Sequence, residues 1–292
     1  MSLWLRVRIA PAEERYSCRM LRALVRSSHA GPTVAVALIS LALAIGIGLS
    51  SWQVVGITLM ILCNQFSVGL SNDWLDAERD RRSGRTDKPI AAGEVSVHTV
   101  AALALILASV SVVLSLAFGA LAALAHGLFL ASGWAYNLWL KSTPASVIPY
   151  IVGFGSLPAI VTLAADPPQL AQLWAIAAGA LLGIAAHFSN VLPDLDEDRS
   201  TGVRGLPHIL GARISGIVIA VSLVAASLAV AFGPGNDISA VPIIGFALTL
   251  TLAIASVVLV VRNTMKRMLF RLTIAAAMIN VALLLLAAPQ LS

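Results

Sequence analysis

Nine apolar runs constrain the fold of this chain more than any other feature. A bilayer core about 30 Å thick needs roughly 20 helical residues to cross it, and backbone polar groups in lipid must find partners within their own segment. A soluble domain would leave too much of a chain with 59% hydrophobic residues in contact with water. We therefore predict an all-α integral membrane protein with nine transmembrane helices, near residues 31–49, 54–71, 97–118, 120–140, 147–165, 171–191, 214–233, 239–261 and 271–288.

The basic residues alternate along these predicted spans. All 19 Lys and Arg residues lie either before the first span or in every second connection, and the other connections contain none. Because basic residues concentrate on the cytoplasmic side of membrane proteins, we expect a cytoplasmic N-terminus. We also expect one domain over residues 1–292, with residues 1–30 as a cytoplasmic or interfacial segment.

The basic residues of the N-terminal segment have helical spacing. Arg15, Arg19, Arg22 and Arg26 recur at intervals of four, three and four residues, which places them on one face of a helix. Two interpretations are open. The segment is either a helix lying in the membrane interface against anionic headgroups or an ordinary solvated lead-in to the first span.

Two charged stretches of this weakly charged chain resemble each other in sequence. The stretch "SNDWLDAERDRRSGRTDKP" (71–89) contains five acids and five bases, although only 11% of all residues are charged. The stretch "SNVLPDLDEDRSTGVRGLPHILG" (189–211) shares eight identities with residues 71–93 at a constant offset of 118. Both follow the cytoplasmic end of a predicted span. This pattern predicts a parallel internal repeat around a central cavity.

The repeated core, Asn-x3-Asp-x3-Asp, predicts two stripes of oxygen ligands. Residues four apart share a helical face, so we expect two stripes with Asp73 and Asp196 beside them. Hard oxygen donors without His or Cys favour Mg²⁺, which leaves coordination positions for phosphate. Solvated loop charges that balance one another are the alternative. The candidate metal ligands are Asn72, Asp73, Asp76, Asp80, Asn190, Asp194 and Asp198; the bases that could contact phosphate are Arg81, Arg82, Arg85, Lys88, Arg199 and Arg204.

These motifs resemble those of the UbiA superfamily of intramembrane prenyltransferases over nearly the whole chain. "NDWLDAERD" resembles the first aspartate motif of that family and "DLDED" the second. "YNLWLK" resembles a third element and supplies Tyr136 and Lys141. The resemblance implies nine transmembrane helices and an active site on the cytoplasmic side of a bacterial cell membrane.

The resemblance also implies a reaction. Family members ionise an isoprenyl diphosphate held by Mg²⁺ and trap the carbocation on an acceptor, often an aromatic quinone precursor. The implied partners are therefore an isoprenyl diphosphate, a small or lipid-soluble acceptor and the bilayer, with no nucleic acid. The implied catalytic residues are Asp76, Asp80, Asp194, Asp198, Lys141 and Tyr136; the implied diphosphate-binding residues are Asn72, Arg81, Arg85, Lys88, Asn190, Arg199 and Arg204.

Several alternatives accompany this interpretation. A terpene cyclase of the same superfamily would ionise the same diphosphate without an acceptor, and another relative would prenylate a lipid or sugar-phosphate acceptor. A cation transporter fits less well, because transporter sites lie near the bilayer midplane. On the residues alone, Lys141 is either a phosphate ligand or a snorkelling anchor.

Other polar and aromatic residues in the predicted spans have two interpretations each. Asn64 and Gln65 either line the chamber or form hydrogen bonds between helices, whereas His126 is expected to be structural. Aromatic rings near the inner face either shield the carbocation or belong to the interfacial belt, and the belt is favoured for the tryptophans. These rings are Trp134, Tyr136, Trp139 and Tyr150.

Overall fold

Helices are the regular secondary structure of the part of the chain that the computed structural model describes, and that part contains no strand. It comprises residues 12–195, 198, 202–235, 240–262 and 266–291. Within these described residues, ten α-helices are accompanied by three short 3-10 helices, which are Leu140–Ser142, Leu192–Asp194 and Ala288–Gln290. The α-helices are α1 (Ala12–Ser27), α2 (Ala30–Gly46), α3 (Ser51–Arg82), α4 (Val97–Leu116), α5 (Ala120–Leu138), α6 (Ile148–Leu163), α7 (Leu173–Val191), α8 (Leu206–Phe232), α9 (Ala240–Val261) and α10 (Lys266–Leu286).

Each of the nine predicted spans coincides with one of the helices α2 to α10. In the part of the chain that the structure describes, five of these helices are long and apolar enough to cross a membrane. The number rises to six if the end of α1 and α2, which are bent by 66°, form one span. The all-helical architecture is therefore confirmed. The count of nine crossings, the orientation and the internal repeat stay predictions.

The apolar core of the described residues forms three clusters, and the largest draws on parts of the helices that are distant in sequence from the two acidic motifs. Its largest cluster combines buried side chains of α2, α3, α5, α6, α7 and α10. A smaller cluster lies beside the first motif and includes Ala23 of α1, Ala77 of α3, and Ile90 and Val95 of the following loop. The charged end of the bundle thus has its own apolar support.

The first acidic motif lies on one uninterrupted helix, as the spacing predicted. Helix α3 begins with a capping box between Ser50 and Gln53 and continues without a break through the motif to Arg82. Gly84, with φ of 71°, turns the chain beyond the helix end into the loop, a conformation that glycine adopts readily. Asn72, Asp76 and Asp80 therefore lie on successive turns of α3.

The second motif departs from the predicted continuous helix. Helix α7 ends at Val191, and Leu192–Asp194 form a 3-10 turn. Pro193 has no backbone N–H to continue the helical ladder, which explains the break. Asn190 is therefore helical while Asp194 is on a 3-10 turn. The predicted residues Asp196 and Arg199 lie outside the part of the chain that the structure describes.

Candidate active site

A cavity of about 690 Å³ brings the two acidic motifs together. Helices α2, α3, α5, α6, α7 and α8 and the loops after the two motifs contribute to its wall. Most of the candidate residues line it, although the two motifs are 118 positions apart in sequence. These are Asn72, Asp76, Asp80, Arg85, Lys88, Tyr136, Lys141, Asn190, Asp194 and Asp198.

Both carboxylate oxygens of Asp76 have basic partners. Lys141 Nζ donates to Oδ1, and a guanidinium N–H of Arg79 donates to Oδ2 at 2.8 Å. The same guanidinium lies 3.7 Å from Oδ1 of Asp80. Burial lowers the pKa of Lys141, and the charge of Asp76 opposes that shift. Asp76 thus joins the first motif on α3 to the segment after α5.

Asp73 positions a base and does not line the cavity. Its side chain is 1% exposed, and Oδ1 accepts a hydrogen bond from Lys88 Nζ at 2.7 Å. Lys88 itself lines the cavity, as does Arg85 in the same loop. Arg85 donates to both carboxylate oxygens of Asp87, and these bonds lower the pKa of Asp87 to about 2.

Three of the predicted phosphate-binding bases are not brought to the cavity. Arg81 and Arg82 contact Glu78 on another face of α3, because positions 78, 81 and 82 point away from the stripe formed by positions 72, 76 and 80. Arg204 is exposed outside the cavity wall.

Aromatic rings form one wall beside the second motif. Tyr136 and Tyr150 meet edge to face with ring centroids 5.2 Å apart, and His187 lies 4.8 Å from Tyr150. The Asn190 amide donates to the Tyr150 hydroxyl at 3.4 Å. In contrast, Trp139 is 68% exposed and does not line the cavity; its place in the interfacial belt stays a prediction.

The two polar residues at positions 64 and 65 have different surroundings. Gln65 lines the cavity. Asn64 is buried and hydrogen-bonds His126 at 3.1 Å, so it joins α3 to α5. The structural interpretation thus suits Asn64 and His126, and the chamber interpretation suits Gln65.

Several cavity residues were missed by the sequence analysis. Arg79 lies three positions after Asp76 on the same helical face, so its spacing could have identified it. Asn137 accepts a hydrogen bond from Asn72 at 3.2 Å, and His208 lies 3.2 Å from Asp198. Neither residue has a local sequence signal for this role, because each reaches the motif only through the packing of another helix.

Comparison with known proteins decides the family. The model of the UbiA prenyltransferase family matches residues 33–287. The chain belongs to this family. Together with its long apolar helices, this makes the UbiA-family chain an integral membrane protein.

The individual relatives of this UbiA-family protein share only a small part of its sequence. A digeranylgeranylglyceryl phosphate synthase from Natronomonas pharaonis is 31% identical over 160 residues, which cover 54% of this chain and only 57% of the relative. A UbiA homologue from Archaeoglobus fulgidus, bound to GPP and Mg²⁺, superposes with a TM-score of 0.67 at 14% identity, covering 91% of this chain and 99% of that one. The apo UbiA homologue from Aeropyrum pernix K1 gives 0.65 at 21% identity, covering 85% and 96%. At these identities the structures show the shared fold.

The donor chemistry of the cavity fits a hard divalent cation. Asp76 and Asp80 from one side and Asp194 and Asp198 from the other supply carboxylate oxygens, the ligands that Mg²⁺ prefers. Within the described residues, no three acidic, His or Cys side chains converge on one metal position. Mg²⁺ usually keeps several waters and binds through one or two carboxylates plus substrate phosphates, so the two sides fit such an ion when a diphosphate lies between them.

Proposed function

We propose that this protein is a Mg²⁺-dependent intramembrane prenyltransferase that transfers an isoprenyl group from a diphosphate to an acceptor. The proposal rests on one observation: the two acidic motifs line the same cavity, together with Lys141, Arg79 and Lys88. Family membership supplies the reaction class, and the cavity lies in the volume range of small-molecule sites, about 300–1,000 Å³.

The acidic side chains would hold the metal. Bound Mg²⁺ stabilises negative charge that develops on a departing pyrophosphate. The proposed ligands are Asn72, Asp76 and Asp80 on one side and Asn190, Asp194 and Asp198 on the other, with Asp73 in support through Lys88. The protein's own bases Arg85, Lys88 and Lys141 would donate to the remaining phosphate oxygens, as charge-assisted bonds.

The aromatic wall suits the organic part of the reaction. The ring faces of Tyr136 and Tyr150 carry partial negative charge that attracts a cation. The apolar side chains of the cavity wall, among them Phe129 and Phe154, would keep water away from a reactive intermediate. The arrangement therefore supports capture of the allylic cation by an acceptor rather than by water.

Two acceptor classes are supported by different observations. The motif resemblance suggests an aromatic quinone precursor. Similarity to a digeranylgeranylglyceryl phosphate synthase suggests a lipid that carries a phosphate group. In both cases we propose a single catalytic domain with its active site on the cytoplasmic side of a bacterial cell membrane.

The test is turnover by the purified protein. It would be incubated with Mg²⁺, isoprenyl diphosphates of increasing chain length and either an aromatic or a glycerol-phosphate lipid acceptor, with pyrophosphate release and product masses recorded. We expect release that requires Mg²⁺ and an adduct with one acceptor class. Pyrophosphate release with a hydrocarbon product and no acceptor would identify a cyclase. No release with any diphosphate would reject the proposal.

A further inference from the structure

Arg26, near the end of α1, forms hydrogen bonds that hold the loop after the first motif. These bonds are here called the clamp, and the loop is called the first-motif loop (residues 83–96). The Arg26 guanidinium donates to both carboxylate oxygens of Glu94, at 3.0 and 2.8 Å, and to the carbonyl oxygen of Asp87 at 2.7 Å. One side chain thus grips the loop at two places seven residues apart. Nη1 makes both bonds to Glu94, and Nη2 makes the bond to Asp87. Charge-assisted hydrogen bonds of this kind are stronger than bonds between neutral groups.

A second contact reaches the base that the loop presents to the cavity. His29 Nε2 lies 3.3 Å from Lys88 Nζ and 3.8 Å from Asp73 Oδ1. His29 has φ of 51° and is the one non-glycine residue with positive φ in the described chain. Such conformations persist where the surroundings enforce them. The ammonium of Lys88 is therefore held between α3 and the junction of α1 and α2.

The junction itself is fixed against α3. The Thr33 hydroxyl donates to the Ser28 carbonyl oxygen at 3.2 Å, and a Cβ on Gly69 would lie only 2.1 Å from that oxygen. Ser27 and Ser28 are buried. The Ser28 carbonyl thus lies against the α3 backbone at Gly69, and α1 leaves this junction at an angle of 66° to α2.

Apolar packing between α1 and the first-motif loop accompanies the clamp. Ala23 is fully buried in the cluster that includes Ile90 and Val95 of the first-motif loop. Arg26 and His29 also line the cavity. The loop is therefore held to α1 by an apolar contact and by the clamp, on the side where it presents Arg85 and Lys88.

We propose that Arg26 and His29 are positioning residues that place the first-motif loop, and with it Lys88, for diphosphate binding. Both residues precede the family-matched region, which begins at residue 33. The inference rests on the proposed function. It differs from both sequence-based interpretations of residues 1–30, since the end of α1 becomes part of the substrate site.

The experiment compares Arg26→Gln with Arg22→Gln, an exposed arginine one turn earlier on α1. Hydrogen exchange of the loop amides is measured first, because it needs no activity. We expect exchange about fivefold faster in Arg26→Gln, as for a local opening, and no change in Arg22→Gln. Equal exchange in the wild-type protein and Arg26→Gln would overturn the clamp.

Steady-state kinetics then test positioning. We expect the KM for the isoprenyl diphosphate to rise about fivefold in Arg26→Gln with little change in kcat, since lost ground-state binding appears in KM. Arg26→Lys, which retains one donor to Glu94, should give an intermediate KM. The charge exchange Arg26→Glu with Glu94→Arg should restore part of the loss. A loss confined to kcat, or an equal effect of Arg22→Gln, would contradict positioning.

The two proposals fail differently. A wild-type protein that releases no pyrophosphate from any diphosphate rejects the enzyme function, while the hydrogen-exchange comparison still judges the clamp. A wild-type protein that is active, with Arg26→Gln indistinguishable from it in KM and in exchange, rejects the clamp and leaves the enzyme function standing.

Discussion

The two acidic motifs have the same polar residues on different backbones. The first occupies one uninterrupted helix, and Asp76 is paired with Lys141 and Arg79. The second leaves its helix at Val191 and continues through a 3-10 turn, with Asp198 beside His208. A sequence repeat thus reproduces the chemistry of the side chains, while one proline changes the path that presents them.

The two sides of the cavity therefore present their carboxylates in different ways. On the first side, ion pairs and a continuous helix hold the carboxylates in place. On the second side, the carboxylates lie on a segment whose course depends on contacts with other parts of the chain. One such contact is close: a Cβ on Gly205 would lie 2.6 Å from the carbonyl oxygen of Lys141 and 2.9 Å from the Ser146 hydroxyl. The stretch after the second motif, here called the second-motif segment (residues 202–205), therefore contacts the residue that pairs with the first motif.

The largest effect is expected when either stripe loses its central carboxylate. Asp76→Ala and Asp194→Ala should each lower kcat by about 1,000-fold, as for loss of a group that stabilises transition-state charge. Asp76→Ala should also lower the melting temperature, because it leaves Lys141 and Arg79 without their shared acid. The measurements are pyrophosphate release and thermal unfolding in detergent.

A matched control is available on the same helix. Glu78 is exposed and contacts Arg82 outside the cavity, so Glu78→Ala should keep kcat near the wild-type value. A variant of Asp76 or Asp194 that retains more than about a tenth of wild-type kcat would show that its carboxylate is not essential, and the two sides would then differ in function as well as in backbone.

A double-mutant cycle tests whether the two sides act on one substrate. Asp80→Asn and Asp198→Asn should each lower kcat/KM about 100-fold, and the double variant should lose much less than the product of the two effects, as for groups that act as a unit. The cycle would be read at saturating Mg²⁺. Losses that simply multiply would indicate two separate cation sites, one for each motif.

The contact between the second-motif segment and Lys141 predicts a smaller effect. Gly205→Ala should lower kcat/KM about tenfold, because the added methyl group must displace the Lys141 backbone or the segment. Gly127→Ala on α5 is the matched control, since a Cβ there meets nothing within 4 Å. If both variants were equally active, the second-motif segment would be independent of the first side.

The sequence predicted the architecture and the cavity wall well for a physical reason. Apolar periodicity and the positions of charges report directly on burial, so each predicted span coincides with a helix. The offset of 118 residues likewise anticipated that Asp76 and Asp194 line one cavity. Local spacing also indicated that Asn72, Asp76 and Asp80 share one face of α3.

Other features depend on tertiary contacts that spacing does not encode. The spacing predicts that both motifs are helical, although α7 ends at Val191 and Pro193 lies in the 3-10 turn that follows. Arg79 and Arg81 belong to the same charged stretch, and only their helical phase separates Arg79, which lines the cavity, from Arg81, which does not. Arg26 was recognised as part of a basic face, but its partner Glu94 lies 68 residues away, which no local pattern connects.

The smallest predicted effect concerns the ion pair within the first-motif loop. Hydrogen bonds from Arg85 lower the pKa of Asp87 to about 2, so the carboxylate contributes to loop order above the ordinary carboxyl pKa of about 4 and loses that contribution only as the pH falls through about 2. Asp87→Asn should therefore lower kcat/KM about twofold at every pH from about 5 to 8 without moving the acid limb of the profile. The measurement is kcat/KM against pH for the variant and the wild-type protein. A shifted acid limb would show that Asp87 titrates in this range. The first-motif loop would then be less firmly held than Asp76 on α3, which is paired with Lys141 and Arg79.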